Sequence, residues 1–396
     1  MSNLPKGWSL VELNEICNIN MGQSPKSESY NENNIGLPLI QGNADIKNRK
    51  TLPRTYTSDI TKKCKIGDII MTVRAPVGAI AKSYHNACIG RGVCSITPKE
   101  NNDFLYHFLV GYEDKWDKLS QGSTFTAVNG NDIKKIKLPL PPLEEQKKIA
   151  DILSTVDKKI AFVEENINAT EELKKGLMQK LLTEGIGHTE FKDSELGRIP
   201  ESWKVVKLEE VCTKIVGGGT PSKNEPDYWN NGTIPWVTPS EFTKSKSNYI
   251  SVTESKISEE GLKNSSATLL AIGTVIMSSR ATIGECKINT IEITTNQGFI
   301  SFQCNDLLNN LYLLYFIKQN KPNILKISSG STFLEVSRTS MKNFSIAIPP
   351  LEEQKQIAEI LSTVDKKLEN LKEKKQSFEE LKKGLMQKLL TGEVRL

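Results

Sequence analysis

The chain has 396 residues, 52 of them Lys or Arg and 47 Asp or Glu, a net charge of +5, and 37% of it is hydrophobic. By length this is roughly two to four globular domains of ordinary composition. Its apolar runs fall far short of the about 20 residues a membrane helix needs, and "MSNLPKGWSL" has no basic head followed by an apolar run, so neither a membrane span nor a signal peptide is expected and the cytoplasm is the expected location.

Residues 1–141 read as one mixed module. It opens with "LPKGWSLVELNEIC" (4–17) and passes through "DIIMTVRAPVGAIAKSY" (68–84), whose Val, Ile and Thr with Gly and Pro breaks predict strands and turns. "NDFLYHFLVGYEDKWDKL" (102–119) has the apolar spacing of a helix. Residues 142–183 predict a long helix. "LPPLEEQ" places Pro and then Glu in a first turn, and Ile149, Leu153, Val156, Ile160, Val163 and Ile167 step by 4, 3, 4, 3, 4, a heptad seam. The seam then shifts phase to Leu173, Leu177 and Leu181, with Gly176 inside it, which suggests either close helix contact or a tolerated leftover of duplication.

Residues 184–198, within "EGIGHTEFKDSELGRIP" (184–200), read as a linker. A second mixed module spans 199–349, with strands in "GTVIMSSRATIGECKI" (273–288) and a helix in "LLNNLYLLYFIKQNK" (307–321). A second long helix follows at 350–391, with Ile357, Leu361, Val364, Leu368 and Leu371 on its seam, then Leu381, Leu385 and Leu389 with Gly384, and a tail at 392–396.

The two halves repeat. Residues 141–183 and 349–391 align without a gap at 31 of 43 identical positions, and "EELKKGLMQKLLT" occurs letter for letter at 171–183 and 379–391. The modules align more weakly, at offsets that grow from 195 at their starts to 208 at "GSTF" (122–125 and 330–333), so the length drift is confined to them. The expected fold class is therefore α+β: two mixed α/β modules and two long helices that form an antiparallel coiled-coil pair, with an internal pseudo-two-fold repeat. A helix folded back on its own module is the alternative.

The tools of an enzyme are missing. There is no phosphate loop, no Gly-rich cofactor loop of methyltransferase type and no Asn/Asp-Pro-Pro-Tyr/Phe tetrad, and "VGGGTP" (216–221) lacks the Lys and spacing of a phosphate loop. "PD" at 226–227 has no convincing acid and Lys downstream for a nuclease site. Seven cysteines without a CxxC pair, Cys88 and Cys94 being the nearest two, are expected to be small buried hydrophobes; His85, His107 and His188 form no ligand spacing, so no metal is expected.

Binding side chains recur at matched places. Arg74 matches Arg280, Arg91 matches Gln297, each followed by Gly, and Ser123-Thr124 matches Ser331-Thr332; Lys223, beside the glycine run, joins them. Arg, Gln, Ser and Thr can contact base edges or phosphates. Each has a plainer role as well: an Arg in a turn is commonly a surface ion-pair partner, and GSTF could cap a helix.

The doubled "LPPLEEQKKIADILSTVDKKI" and "IPPLEEQKQIAEILSTVDKKL", the twin "EELKKGLMQKLLT" segments and the paired "GW" and "SW…VKLEEV" module starts resemble the specificity (S) subunit of type I restriction–modification systems, over essentially the whole chain. The resemblance implies that each module is a target recognition domain reading one half of a split, asymmetric DNA site. It implies that the helices are conserved spacers that fix the gap and recruit two adenine-N6 methyltransferase (M) subunits, and that restriction (R) subunits join to cleave DNA. S-adenosylmethionine, ATP and Mg would serve those partners, and this chain would hold no cofactor and catalyse nothing. A protein-binding coiled-coil scaffold and a self-sufficient DNA methylase or nuclease are the competing classes.

Overall fold

The computed structural model describes residues 4–120, 127–244, 246–330 and 334–396, without the side chains of 117–120. The two longest elements are helices of 39 residues each, Leu143–Leu181 and Leu351–Leu389, about 58 Å apiece at 1.5 Å per residue. Their starts are built alike. Prolines at 141–142 and 349–350 cannot continue a helix backwards, and the glutamine of PLEEQ folds back to donate to them. Gln146 Nε2 reaches the Pro141 carbonyl at 2.9 Å and Gln354 Nε2 the Pro349 carbonyl at 2.9 Å.

Two compact units result, Met1–Asn166 with Leu371–Leu396, and Ile167–Asn370. Each holds one module, the first part of the helix that follows it and the last part of the other long helix. Within the first unit Asp157 pairs with Lys382 at 2.6 Å and Glu164 with Lys375 at 2.5 Å, so one helix ascends as the other descends. Within the second, Lys174 pairs with Asp365 at 2.5 Å. Asp157 and Asp365, like Lys174 and Lys382, are equivalent positions of the repeat, so one ion pair is made twice.

The apolar stripe does two jobs, which explains its phase shift. Ile149 and Leu153 enter the core of the first module, and Ile357 and Leu361 that of the second. Val156, Val163, Ile167 and Leu368 are buried, while Ile160, Val364 and Leu371 are half-buried. The shifted leucines then turn to a module rather than continue the seam. Leu181 joins the second module's core, with Leu177 against it, and Leu389 joins the first module's core, with Leu385 against it. Leu173 and Leu381 stay exposed. A Cβ on Gly176 or Gly384 would meet nothing within 4 Å, so close helix contact is not why glycine stands there.

The modules share a sheet plan. In the first, strands Cys17–Met21, Val93–Pro98, Ile69–Thr72 and Ile80–Lys82 lie side by side in that order; in the second, Cys212–Gly217, Phe299–Cys304, Val275–Ser278 and Cys286–Asn289 do the same. Central residues alternate between two cores, as a strand covered on both faces must. Ile69 and Met71 face the helix-bearing core and Ile70 a smaller one; Val275 and Met277 repeat the pattern with Ile276 opposite. The turns before the central strands carry Gly67 at φ +90° and Gly273 at φ +86°, a left-handed conformation that strains other residues. A second, smaller sheet completes each module: five strands in the first, with Leu37–Ile40 at its centre, and three in the second, with Ile234–Val237 between its neighbours. The 184–198 stretch is not featureless: Phe191–Ser194 and Gly197–Pro200 form a hairpin.

Two polar anchors hold each module to the helices, and sequence reading missed both. Trp8 Nε1 donates to Glu145 at 3.0 Å, and Trp203 Nε1 donates to Glu353 at 3.2 Å, so the "GW" and "SW" starts meet the second Glu of PLEEQ. Arg395 clasps Glu145 through Nε at 2.7 Å and Nη2 at 2.8 Å; in the second unit His188 Nε2 takes that place on Glu353 at 2.8 Å. The second anchor reads the Asp–Lys pairs. Tyr315 donates its hydroxyl to Asp365 at 2.7 Å, and its repeat equivalent His107 lies with Nδ1 3.8 Å from Asp157 and Nε2 3.1 Å from Ser154 Oγ.

Candidate nucleic-acid interface

At one end of each module's central strands, several loops are tied into a cluster by backbone hydrogen bonds. In the first module Gly22 N donates to Val93 O at 3.0 Å, Gly90 N to Ile40 O at 2.8 Å, Val73 N to Gly92 O at 2.9 Å and Val128 N to Val73 O at 2.9 Å. In the second, Gly218 N donates to Phe299 O at 3.1 Å, Asn296 N to Val237 O at 3.1 Å, Ser279 N to Gly298 O at 2.8 Å and Val336 N to Ser279 O at 3.0 Å. The same segments meet in the same order. This accounts for the glycine run: a Cβ on Gly22 would lie 2.1 Å from Gly90 O, and one on Gly218 1.8 Å from Asn296 O. Loop backbones approach there more closely than any side chain allows.

The predicted side chains gather on these clusters. Arg74 follows Val73 and faces Ala127 across an isolated bridge, while Arg91 lies on the 90–92 loop with its N–H on Ser24 Oγ at 3.2 Å; both side chains are exposed. In the second module Gln297 occupies the matching loop, exposed, and accepts from the hydroxyl of Thr220; Lys223, three residues further on, is exposed as well. Arg280, also exposed, has a charged neighbour that Arg74 lacks among the described residues. Its Nε lies 2.9 Å from Glu335 Oε1, the surface ion pair that was the plainer reading of an Arg in a turn. Ser123, Thr124, Ser331 and Thr332 lie outside the described residues.

What the clusters offer is hydrogen-bonding capacity on a rigid base. Guanidinium donors and a side-chain amide project from loops that are pinned by backbone hydrogen bonds to buried strands, the arrangement in which base edges and phosphates are contacted with little ordering cost. The side-chain set differs between modules at matched places, Arg against Gln at 91 and 297, and Ala against Glu at 127 and 335. At the opposite ends of the same strands, the second module has an open cleft of about 560 Å³ beside Ile272, Thr274, Asn310 and Leu351, away from the cluster.

No metal cage accompanies these loops among the described residues. No group of three or more His, Cys, Asp or Glu converges there. All seven cysteines are free, six are buried and Cys304 is half-buried. Burial pushes the thiols of Cys17, Cys94 and Cys286 up to about 12, away from thiolate chemistry at neutral pH. Among the described residues no helix is long and apolar enough to cross a membrane.

Known proteins show the same organisation. A family model described as "Type I restriction modification DNA specificity domain" matches residues 5–172 and 200–380. The chain is 28% identical to a protein named as the type I restriction enzyme MjaX specificity subunit of Methanocaldococcus jannaschii, over 100% of this chain and 96% of the relative. It is 32% identical to the MjaVIII specificity subunit of the same organism over 74% of this chain and 70% of that one. Among solved structures, the S subunit of a type I restriction–modification system from M. genitalium superposes with a TM-score of 0.63 at 15% identity, over 98% of this chain and 97% of that one. A chain from a study of complex assembly in the type I R-M system superposes with a TM-score of 0.62 at 22% identity, over the full length of both. Both likenesses are of the fold: paired modules and paired long helices.

Proposed function

The chain belongs to the type I restriction–modification DNA specificity family, and from that premise we propose that each of its modules reads one half of a split, asymmetric DNA site through its loop cluster. On this reading it is a specificity subunit, the name its relatives carry, and catalysis belongs to its partners. The first module, 1–141, carries Arg74, Arg91, Ser123 and Thr124 to one half-site; the second, 199–349, carries Lys223, Arg280, Gln297, Ser331 and Thr332 to the other. The long helices at 142–183 and 350–391 set the distance between half-sites and recruit two adenine-N6 methyltransferase subunits. Restriction subunits join through that complex. S-adenosylmethionine, ATP and Mg belong to those partners.

One observation carries this reading. The repeat preserves the helix surfaces, the Trp–Glu anchor and the Asp–Lys pair, but on loops whose backbone bonding is the same it changes side chains beside the shared Arg74 and Arg280, Arg91 to Gln297 and Ala127 to Glu335. A partner met twice in the same way requires constancy; two different DNA words require variation. The linked arrangement supplies avidity as well, since two weak half-site contacts held at a set distance bind as one strong contact.

The test is a module exchange. Residues 199–349 are replaced by the equivalent module of a relative, the chain is expressed with its methyltransferase subunits, and the methylated sequence is read across a host genome. One half of the site should change while the other half and the gap stay. Change in both halves, or in neither, refutes the assignment of one module to one word. Methyl transfer by the chain alone, free of other subunits, refutes the specificity-subunit role.

A further inference from the structure

The two modules differ in what stands opposite the matched arginine. In the first, Arg74 faces Ala127, and among the described residues its guanidinium has no charged partner. In the second, Arg280 faces Glu335, and the closest approach is through Nε, 2.9 Å from Oε1. Glu335 is itself held on both sides. Its N–H donates to Ser329 O at 2.9 Å, Ser329 N donates back to Glu335 O at 2.9 Å, and the next residue, Val336, is tied to Ser279 at 3.0 Å. The carboxylate therefore sits on fixed backbone, and the two side chains remain 48% and 43% exposed at the edge of the loop cluster.

The carboxylate approaches most closely at Nε, and among the described residues no hydrogen bond engages the two terminal nitrogens of the fork. Those are the donors that grip guanine O6 and N7 bidentately in the major groove. A carboxylate at Nε does two further things. It biases the orientation of a long, rotamer-rich side chain before DNA arrives, and its charge opposes the approach of a phosphate to the same arginine. The first favours a base edge that demands one orientation; the second disfavours the sequence-blind alternative.

We propose that Glu335 is a positioning residue that determines specificity in the second half-site, holding Arg280 to read a guanine rather than to bind the DNA backbone. This rests on the function proposed above. It predicts that the second half-site contains a guanine whose recognition needs both residues. The first module, with Ala127 at that place, has no such dependence.

The experiment uses the full chain with its methyltransferase subunits on a library of duplexes randomised in both half-sites, with methylation read by sequencing and binding measured across salt. Glu335→Ala should lower the preference for guanine at one position of the second half-site at least tenfold and leave every first-half position unchanged. Arg280→Ala should abolish preference at that same position. Freed of its carboxylate, Arg280 should turn to phosphate, so Glu335→Ala should also bind unrelated duplex more tightly, with a salt slope steeper by about 1. Glu335→Gln, which keeps an acceptor of the same reach, should retain part of the guanine preference and guards against a folding defect in the alanine variant. An unchanged base profile in Glu335→Ala, with or without a lowered melting temperature, would overturn the proposal and leave a surface ion pair. Uniform weakening on all sequences would overturn it too. Absence of any defined site for the wild-type complex would instead refute the underlying function.

Discussion

Protonating His107 should cost the first unit stability that an uncharged replacement keeps. The imidazole is buried at 1% exposure, and the desolvation of a charge there lowers its pKa from 6.5 to about 4; Asp157 opposes the shift, while Lys382 and Lys82 add to it and Asp103 resists. The neutral ring is thus the folded form. Because the unfolded chain binds the proton more readily, stability is intact above pH 6.5 and falls as pH drops toward 4. The fall from 6.5 to about 4 limits the loss to about 3 kcal/mol, with about 2 kcal/mol of it gone by pH 5. The assay is denaturant unfolding of the wild type and His107→Gln between pH 7.5 and 5, followed by a probe in the first unit such as Trp8 or Trp116. The wild-type advantage should shrink by about 2 kcal/mol over that window. Parallel pH curves would show that the ring is charged in the folded protein or solvated, and would refute the reasoning.

Glu145→Ala strips the acceptor from Trp8 and from both arms of Arg395, and should lower stability by about 1–3 kcal/mol in denaturant titration; an unchanged midpoint would demote the anchor to decoration. Arg74→Ala should weaken binding to the specific site by about 1–3 kcal/mol if the guanidinium reads a base, or equally on all sequences with a shallower salt slope if it binds phosphate. Unchanged binding with a lower melting temperature would make it structural. Seven residues added to each long helix, between Ile160 and Val163 and between Leu368 and Leu371, keep the heptad pattern and lengthen each by about 10 Å. The methylome should show a gap longer by up to about three base pairs, or no activity, since the duplex turns over that distance. Full activity at the original gap would remove the helices' ruler role.

The long helices were legible because every signal agreed: Pro and Glu at the start, heptad spacing through the middle, and a repeat that showed the same signals twice. Predicted over 142–183 and 350–391, they run Leu143–Leu181 and Leu351–Leu389. The double duty of the leucine stripe was not legible, since apolar spacing gives a face but not the surface it meets. Many strands are only two or three residues long, such as Lys50–Thr51 and Thr294–Thr295, too short for any periodicity to register. In the candidate interface, the matched residues could be found from the repeat, but Arg280's partner could not. Glu335 is far along the chain and its repeat equivalent is an alanine, so no pattern pointed to it. The Trp–Glu anchors could have been found. Both tryptophans and both glutamates recur at matched positions, and a repeated pair of an indole donor and a carboxylate acceptor is a contact waiting to be tested.

Because Leu389 and Leu390 complete the core of the first module, the order of synthesis matters. Ribosomes elongate at about 5–20 residues per second, and these leucines are made roughly 250 residues after the module they close. For roughly 25 s at about 10 residues per second, the nascent first module therefore presents an unfilled apolar cleft to chaperones and proteases. The second module meets the opposite schedule: Leu181 and Leu182, which belong to its core, have been made before its own first strand. Chains stalled or truncated late in translation should be lost through the first module, although all of that module's own residues have been made.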